Sequence, residues 1–313
     1  MTKRTCLFIG AFWQGLIAAT AQDLPLFAQY SDYHGLINPA SVSIDFLTNN
    51  GQNLSFGAAY RAQWTGFGND LSPSTQVVRG EFINHDRKIL LGGYAQNDCV
   101  GISQHLGFYG RFAYFIPIRK NVLDEGLSIG LNVGTTRRQL QLDKLSAVAQ
   151  RTDPNLLSEP SKFAFDVGFG VYYYKKWRGP SEYVYGGLST PRLRDFANNQ
   201  WAVHTYGLFG INIAPNNNGL WECSTWVRHV KNLSLQGSVN ARYHLTLPSG
   251  SVWLGGGLIT RVADKFDFTI ECGTRIRAMK IGFAYTFSRS ELQTLFGNSM
   301  EVNLGFVLDR RKK

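Results

Sequence analysis

Residues 163–173 read FAFDVGFGVYY, and their side chains alternate in character from one position to the next. The even-numbered positions are mostly small or polar, whereas the odd-numbered positions are apolar: Phe163, Phe165, Val167, Phe169, Val171 and Tyr173. Successive side chains of a β-strand point to opposite faces, so this pattern predicts a strand with one apolar face. The same alternation recurs in residues 233–245 and 266–273.

A strand of this kind fits two environments. In a soluble sandwich the apolar face points into the core, whereas in a membrane barrel it points outward to lipid. The alternation predicts fourteen strands, at residues 53–63, 74–84, 88–96, 105–118, 126–140, 162–175, 181–190, 202–214, 219–230, 233–246, 250–262, 265–274, 276–288 and 299–308. An even number of strands, many long enough to cross a bilayer at a tilt, is typical of bacterial outer-membrane barrels. We therefore expect an all-β fold, a transmembrane antiparallel β-barrel of about 14 strands.

The connections between these strands also favour a barrel. The short turns, such as residues 84–87 and 247–250, follow even-numbered strands, whereas four long connections follow odd-numbered strands, at residues 64–73, 141–161, 189–201 and 289–298. All four long connections therefore meet at one end. Outer-membrane barrels have this arrangement, with long loops outside and short turns in the periplasm.

The composition excludes other classes of protein. The 313 residues are 44% hydrophobic and 13% aromatic with only 17% charged, which is too apolar for a disordered chain. Past residue 21 there is no run of 18 apolar residues, so no membrane-spanning helix is predicted. The formal charge of +10 is not gathered on one helix face, so we expect outer-membrane lipid or an acidic protein as its partner, and no nucleic acid.

The N-terminus has the parts of a secretory signal peptide. Lys3 and Arg4 precede an apolar run at residues 7–19, and Ala19-Thr20-Ala21 is a small-x-small cleavage site. The apolar run is shorter than the roughly 20 residues that a spanning helix needs. We expect a signal peptide at residues 1–21, an N-terminal segment at residues 22–50 and the barrel at residues 51–313.

Residues 22–40, QDLPLFAQYSDYHGLINPA, do not alternate like the rest of the chain. Their apolar residues follow no regular spacing, and Pro25 and Pro39 obstruct a regular strand. Such a segment needs a surface to pack on, beneath or inside the barrel or on a periplasmic protein. We expect a non-strand N-terminal segment that lies on the periplasmic side or plugs the barrel.

The sequence has no pattern that indicates covalent chemistry. The six histidines are scattered, and neither an HExxH zinc motif, a G-x-S-x-G elbow nor a P-loop is present. After signal-peptide removal three cysteines remain, Cys99, Cys223 and Cys272, without the close spacing of a zinc site. We predict no catalytic residue, no metal site and no cofactor.

Three short motifs point to a known family. They read Pro25-Leu26-Phe27-Ala28-Gln29-Tyr30, Asn38-Pro39-Ala40 and Tyr60-Arg61-Ala62-Gln63-Trp64. Together they resemble the opening signature of the PorP/SprF family of Bacteroidetes type IX secretion and gliding-motility proteins. The likeness continues through Asp153-Pro154 to Ala284-Tyr285, so it spans the chain past the signal peptide. One departure is Met300-Glu301, where the family usually has His-Glu.

The resemblance implies an outer-membrane barrel without enzymatic activity that works with the type IX machinery of the periplasm and outer membrane. It further implies that the barrel accepts the C-terminal type B signal domain of a secreted adhesin and holds it at the cell surface. The motif positions are then the expected partner-binding residues: Pro25, Phe27, Gln29, Tyr30, Asn38, Pro39, Ala40, Tyr60, Arg61, Gln63 and Trp64. The alternative is a general porin for small solutes, because a fourteen-stranded barrel has a wide polar lumen.

Overall fold

Fourteen antiparallel strands close into a barrel in the computed structural model, which describes residues 27–48, 52–66, 71–119, 123–141, 161–195, 200–201, 203–230, 235–260, 266–288 and 297–309. The barrel strands are β1 (Gln52–Ala62), β2 (Ser74–Ile83), β3 (Ile89–Val100), β4 (Ser103–Pro117), β5 (Glu125–Leu140), β6 (Ser161–Lys176), β7 (Tyr183–Thr190), β10 (His204–Asn216), β11 (Gly219–Val230), β12 (Gln236–Leu247), β13 (Gly250–Thr260), β14 (Phe266–Ile276), β15 (Met279–Phe287) and β16 (Ser299–Asp309). Between β7 and β10, β8 (Arg194–Asp195) pairs with β9 (Gln200–Trp201) as a separate small sheet. The predicted fold class is confirmed, because each predicted strand has a counterpart in the barrel.

The strands are staggered around the barrel. The register that starts at Ser161 of β6 passes through every strand and returns to Lys175 of the same strand, 14 residues further along (175 minus 161). A stagger of this size means that the strands are tilted relative to the barrel axis. Residues that meet in register across several strands therefore lie at different heights along the axis.

The two faces of the wall differ as the alternation predicted. Outward side chains are apolar and exposed, as at Phe169, Phe209 and Phe283, each about half accessible. Inward side chains include many buried polar and charged residues: Arg79, Glu81, Arg111, Asn132, Asp166, Arg228, Asn240, Arg242, Glu271 and Glu301. The apolar face thus points outward, where a membrane supplies acyl chains. In the described part of the chain, no helix has the length and apolar character to cross a bilayer.

The barrel has two ends, which we call the outer end and the inner end. The outer end carries the connections that follow β1, β3, β5, β7, β11, β13 and β15, including the four predicted long ones. The inner end carries the short turns, the start of β1 and the end of β16. Outer-membrane barrels keep their short turns in the periplasm, so the inner end is the periplasmic end.

The N-terminal residues 27–48 lie inside the barrel, and we call them the plug. They form a 3-10 helix (Tyr30–Tyr33), α1 (His34–Ile37) and α2 (Ile44–Thr48). Their hydrogen bonds reach eight wall strands, which places the plug across the lumen: β4, β6, β7, β11, β12, β14, β15 and β16. The predicted signal peptide lies outside the described residues, and its cleavage stays a prediction.

The plug runs from the outer half of the lumen to the inner end. Phe27 packs in one cluster with Ala59 and Val77, which lie near the outer ends of β1 and β2. Phe46 and Leu47 belong to a second cluster, and β1 begins just after them at the inner end. The segment between these points is buried against the wall.

Candidate functional site

The start of the plug is bound to strand β16. The Glu301 carboxylate accepts hydrogen bonds from the backbone N–H groups of Ala28, at 2.7 Å, and Gln29, at 3.0 Å. The Asn303 side chain, on the same inward face, donates to the side-chain oxygen of Gln29. One carboxylate thus satisfies two backbone donors that are buried away from water.

Asp32 of the plug lies between two cations of the wall. Its Oδ1 pairs with Lys280 of β15, and its Oδ2 lies 3.3 Å from Nη1 of Arg242 of β12. Burial by itself raises the pKa of Asp32, but the adjacent Lys280 and Arg242 charges outweigh burial and hold the pKa at about 2. The carboxylate therefore stays ionised and joins the plug to two strands.

Arg242 is bonded both to other wall residues and to the plug. Its Nε and Nη2 pair with the two carboxylate oxygens of Glu271, at 2.5 and 2.9 Å, and its Nη1 donates to Ser31 of the plug. Its Nη1 also lies 3.9 Å from Glu222, whose other oxygen is 2.9 Å from His244. Because the Arg242 side chain is only 1% exposed, removing one of its partners leaves a buried charge without compensation.

The Asn38-Pro39-Ala40 turn lies against the wall at a glycine. Asn38 Nδ2 donates to the carbonyl of Val171 at 3.0 Å, and Asn38 Oδ1 accepts from the Ala40 backbone N–H at 2.9 Å. A Cβ atom at Gly130 of β5 would collide with the backbone of the turn. The wall can approach the plug this closely because Gly130 has no side chain.

Aromatic rings surround the middle of the plug. The Tyr30 ring meets Trp226 edge-on at 6.3 Å, and the His34 ring lies 5.4 Å from Tyr185. His34 is buried, and neither of its ring nitrogens has a hydrogen-bond partner in the part of the chain that the structure describes. Burial lowers the pKa of His34 to about 4, so the ring is neutral near pH 7 and packs as an aromatic group.

Polar contacts hold α2 at the inner end. Asp45 forms a 2.5 Å ion pair with Arg275 of β14. Arg87, in the turn between β2 and β3, and Tyr183 of β7 donate to carbonyl oxygens of α2, at 2.6 and 2.8 Å. These contacts come from three separate parts of the wall, so α2 is fixed across the periplasmic mouth.

The third predicted motif lies at the outer end of β1. Tyr60 points outward and is 47% exposed, whereas Arg61 is buried and faces the lumen in register with Glu301. The Gln63 backbone N–H donates to the carbonyl oxygen of Pro73, at the far end of the β1–β2 connection, at 2.8 Å. Trp64 has a positive φ of 57°, which is uncommon for a bulky residue and marks a sharp change of chain direction.

The chain after β7 turns into the lumen at the outer end. The Leu193 backbone N–H donates to Asp166 Oδ1 at 3.0 Å, and the buried Arg192 guanidinium lies 5.0 Å from the Tyr109 ring. A Cβ atom at Gly168 would collide with the Pro191 carbonyl. The outer half of the lumen is therefore occupied by the plug and by this inward turn.

The structure separates the predicted partner-binding residues into two groups. The first is buried in the plug: Phe27, Gln29, Tyr30, Asn38, Pro39 and Ala40. The second lies at the outer end of the wall, where Arg61 and Gln63 are buried and Tyr60 faces outward. Pro25 lies outside the described residues. The buried positions pack the plug and the wall, and their part in partner binding stays a prediction.

Sequence reasoning missed the wall residues that hold the plug. Arg242, Glu271, Lys280 and Glu301 all bond to the plug or to one another. A signal for them was present, because a charged side chain inside a membrane-spanning strand is costly unless it is paired. Which charge meets which depends on strand register, and the alternation does not contain that information.

The described residues contain no group of His, Cys, Asp and Glu that could hold a metal ion. The carboxylates near Asp32 are instead neutralised by Arg242 and Lys280. Cys223 and Cys272 are free thiols, and the Cys99 thiol donates to the side-chain oxygen of Asn97. The arrangement is thus suited to binding by ion pairs, hydrogen bonds and packing.

A family model described as "Type IX secretion system membrane protein PorP/SprF" matches residues 19–306. The matched range covers the plug and nearly all of the barrel. No curated protein sequence matches the chain.

Solved outer-membrane proteins share the barrel at low sequence identity. The Ralstonia pickettii toluene transporter TbuX is 10% identical with a TM-score of 0.55, over 88% of this chain and 93% of TbuX. A Pseudomonas aeruginosa FadL homologue is 9% identical with a TM-score of 0.53, over 88% of this chain and 94% of that protein. The CymD monoaromatic hydrocarbon channel is 10% identical with a TM-score of 0.53, over 89% of this chain and 93% of CymD. At such identities the likeness concerns the fold alone.

Proposed function

Because this chain belongs to the PorP/SprF family of type IX secretion system membrane proteins, we propose that it binds and displays a secreted protein at the cell surface. The cargo is an adhesin-like protein, and its C-terminal type B signal domain makes the contact. The barrel serves as the membrane-embedded holder of this complex. It carries out no covalent step.

The observation that carries this proposal is the occupied lumen. The plug bonds to eight wall strands, and the turn after β7 enters the outer half of the lumen as well. A barrel filled by its own chain is better suited to binding at its surfaces than to conducting solutes. Its outer rim faces the cell exterior, where a displayed protein must be held.

The other surfaces have matching roles in the proposal. The inner end, with α2 and the short turns, faces the periplasm and is the expected contact for the type IX machinery. The outward apolar side chains contact outer-membrane lipids, because they lie on the membrane-spanning strands. The plug connects the two ends, since it runs from the outer half of the lumen to the inner mouth.

A display assay in the native host tests the proposal. Cells lacking the chain are complemented with the wild type or with a variant lacking residues 24–40. A reporter fused to the cargo's signal domain is scored for protease accessibility on intact cells. We expect display with the wild type and none with the empty strain or the variant, while the variant barrel still fractionates with the outer membrane. A reporter without the signal domain is the control, and equal display without the chain contradicts the proposal.

A conductance measurement distinguishes the porin alternative from the proposed binding function. TbuX and CymD are named as a transporter and a channel, and a channel function for this chain predicts steady current in planar bilayers without a protein partner. The binding function predicts that the purified chain conducts little unless the plug is removed. Steady conductance by the wild type together with normal display in cells lacking it favours the porin.

A further inference from the structure

Strand β7 is too short to cover its neighbour. It pairs with β6 only from Phe169 to Lys176, whereas β6 begins at Ser161. On its other side, β6 pairs with β5 from Ser161 onward. Among the residues that the structure describes, no strand pairs with residues 161–168 on the β7 side. Within the described residues, the outer half of β6 therefore has an edge without a partner strand, roughly 27 Å long, which we call the free edge.

The direction of each backbone group along β6 follows from its inner end. The Lys176 N–H donates to Asp124, which precedes β5, and the Trp177 N–H donates to Glu182, which precedes β7. Backbone groups of a strand alternate between its two neighbours, so odd-numbered residues of β6 point to the β7 side. Phe163 and Phe165 therefore direct their N–H and C=O groups to the free edge.

The free edge is built into the fold, because the chain that would cover it is held elsewhere. After Thr190 the chain turns into the lumen, and Leu193 bonds to the Asp166 carboxylate. The same Oδ1 atom accepts the Val167 N–H at 2.8 Å. One side chain thus satisfies the first odd-numbered donor beyond the end of β7 and holds the departing chain.

The side chains beside the edge have a distinct character. Phe163 is 72% exposed and Phe165 is 59% exposed, and Phe163 has the largest value of any large apolar side chain in the described residues. The exposed Arg137 of β5 lies 5.5 Å above the Phe163 ring and donates to Ser161. No carboxylate within the described ranges pairs with Arg137, so the described part of the edge carries a positive charge.

We propose that this edge binds an extended segment of the exported partner as an added β-strand. The unpaired backbone groups supply the hydrogen bonds, Phe163 and Phe165 contact alternate apolar side chains, and Arg137 selects a segment with an acidic residue nearby. The inference rests on the proposed function, since it names the place where the cargo is held. An exposed strand edge is a known template for such pairing.

A pair of double variants tests the edge directly. Phe163→Pro with Phe165→Pro removes two edge-facing N–H donors but no bond to β5, and proline is tolerated at such edge positions. The matched control, Phe163→Ala with Phe165→Ala, removes the same rings and keeps both donors. Binding of the purified cargo signal domain is measured in mild detergent, and heat-modifiable gel mobility checks that each barrel is folded.

We expect the proline pair to weaken binding at least tenfold more than the alanine pair, because two hydrogen bonds are lost. Amide hydrogen exchange at residues 163 and 165 should also slow when the cargo binds the wild type. If the wild type binds and the proline pair binds equally well, the edge inference is wrong and the proposed function stands. If the wild type does not bind, the proposed function itself fails. If the proline pair abolishes only a homodimer, the edge joins two copies and the inference is wrong.

Discussion

Arg242 of β12 and Glu271 of β14 form a two-point ion pair across the intervening strand β13, with distances of 2.5 and 2.9 Å. Gly255 lies in register with both residues and leaves the space between them open. The pair is buried and also bonds to Ser31 of the plug. A position without a side chain thus allows a charged contact that secures the plug.

Gly255→Ala is expected to disturb this ion pair. A Cβ atom would lie 2.8 Å from Arg242 Cγ and 2.9 Å from Glu271 Oε1, so one side chain must move. We expect a loss of about 1–3 kcal/mol in the free energy of unfolding. Circular dichroism melting in detergent measures it. Gly256→Ala is the matched control, because its Cβ atom would point outward and lie 3.2 Å from its nearest neighbour. Equal melting temperatures of the two variants contradict the prediction.

Glu301→Ala is expected to release the start of the plug. The change leaves the buried N–H groups of Ala28 and Gln29 without their acceptor, at a cost of about 3 kcal/mol. Limited proteolysis of the folded barrel should then cut near residue 28. Met300→Ala is the control, since Met300 is the adjacent residue and points outward. Equal protease resistance of both variants would show that Glu301 does not anchor the plug.

Asp32 is expected to make the plug sensitive to acid. Its pKa is about 2 in the folded protein, below the ordinary value of 3.8, so the ionised form stabilises the fold above about pH 4. This stability is lost as the pH falls from about 4 toward 2. The melting temperature of the wild type should exceed that of Asp32→Asn at pH 5, and the gap should narrow at pH 2. A gap that does not change with pH would assign the effect to packing.

His34 is expected to make the stability of the fold depend on pH in a different range. Burial holds its pKa at about 4 in the folded protein, below the ordinary 6.5, so the unfolded chain binds the proton more tightly. Stability should therefore fall as the pH drops from about 6.5 to 4. His34→Phe should remove this dependence at little cost near pH 7, because the ring nitrogens have no partner in the described residues. Melting curves at pH 7 and 4.5 measure it, with the exposed His85→Gln as control.

Much of the fold follows from local pattern. The alternation in residues 163–173 predicted β6 and the outward direction of Phe169, and its recurrence predicted fourteen strands. Pro39 predicted a non-strand segment around it, and residues 27–48 form short helices and turns, whereas Pro25 lies outside the described residues. The contacts of the candidate site could not be predicted in this way, because Arg242 and Glu271 lie 29 residues apart and meet only through the register of three strands.

The amino-acid sequence by itself determined which residues form strands, which face of each strand is apolar, and which end carries the long connections. These properties depend on neighbours a few positions apart, and the period of a strand is visible in the order of residues. Only the tertiary structure decided that residues 27–48 fill the lumen, that Glu301 holds Ala28 from 273 positions away, and that β7 pairs with only the inner half of β6. Contacts across such separations depend on how the barrel closes, and barrel closure is a property of all fourteen strands together.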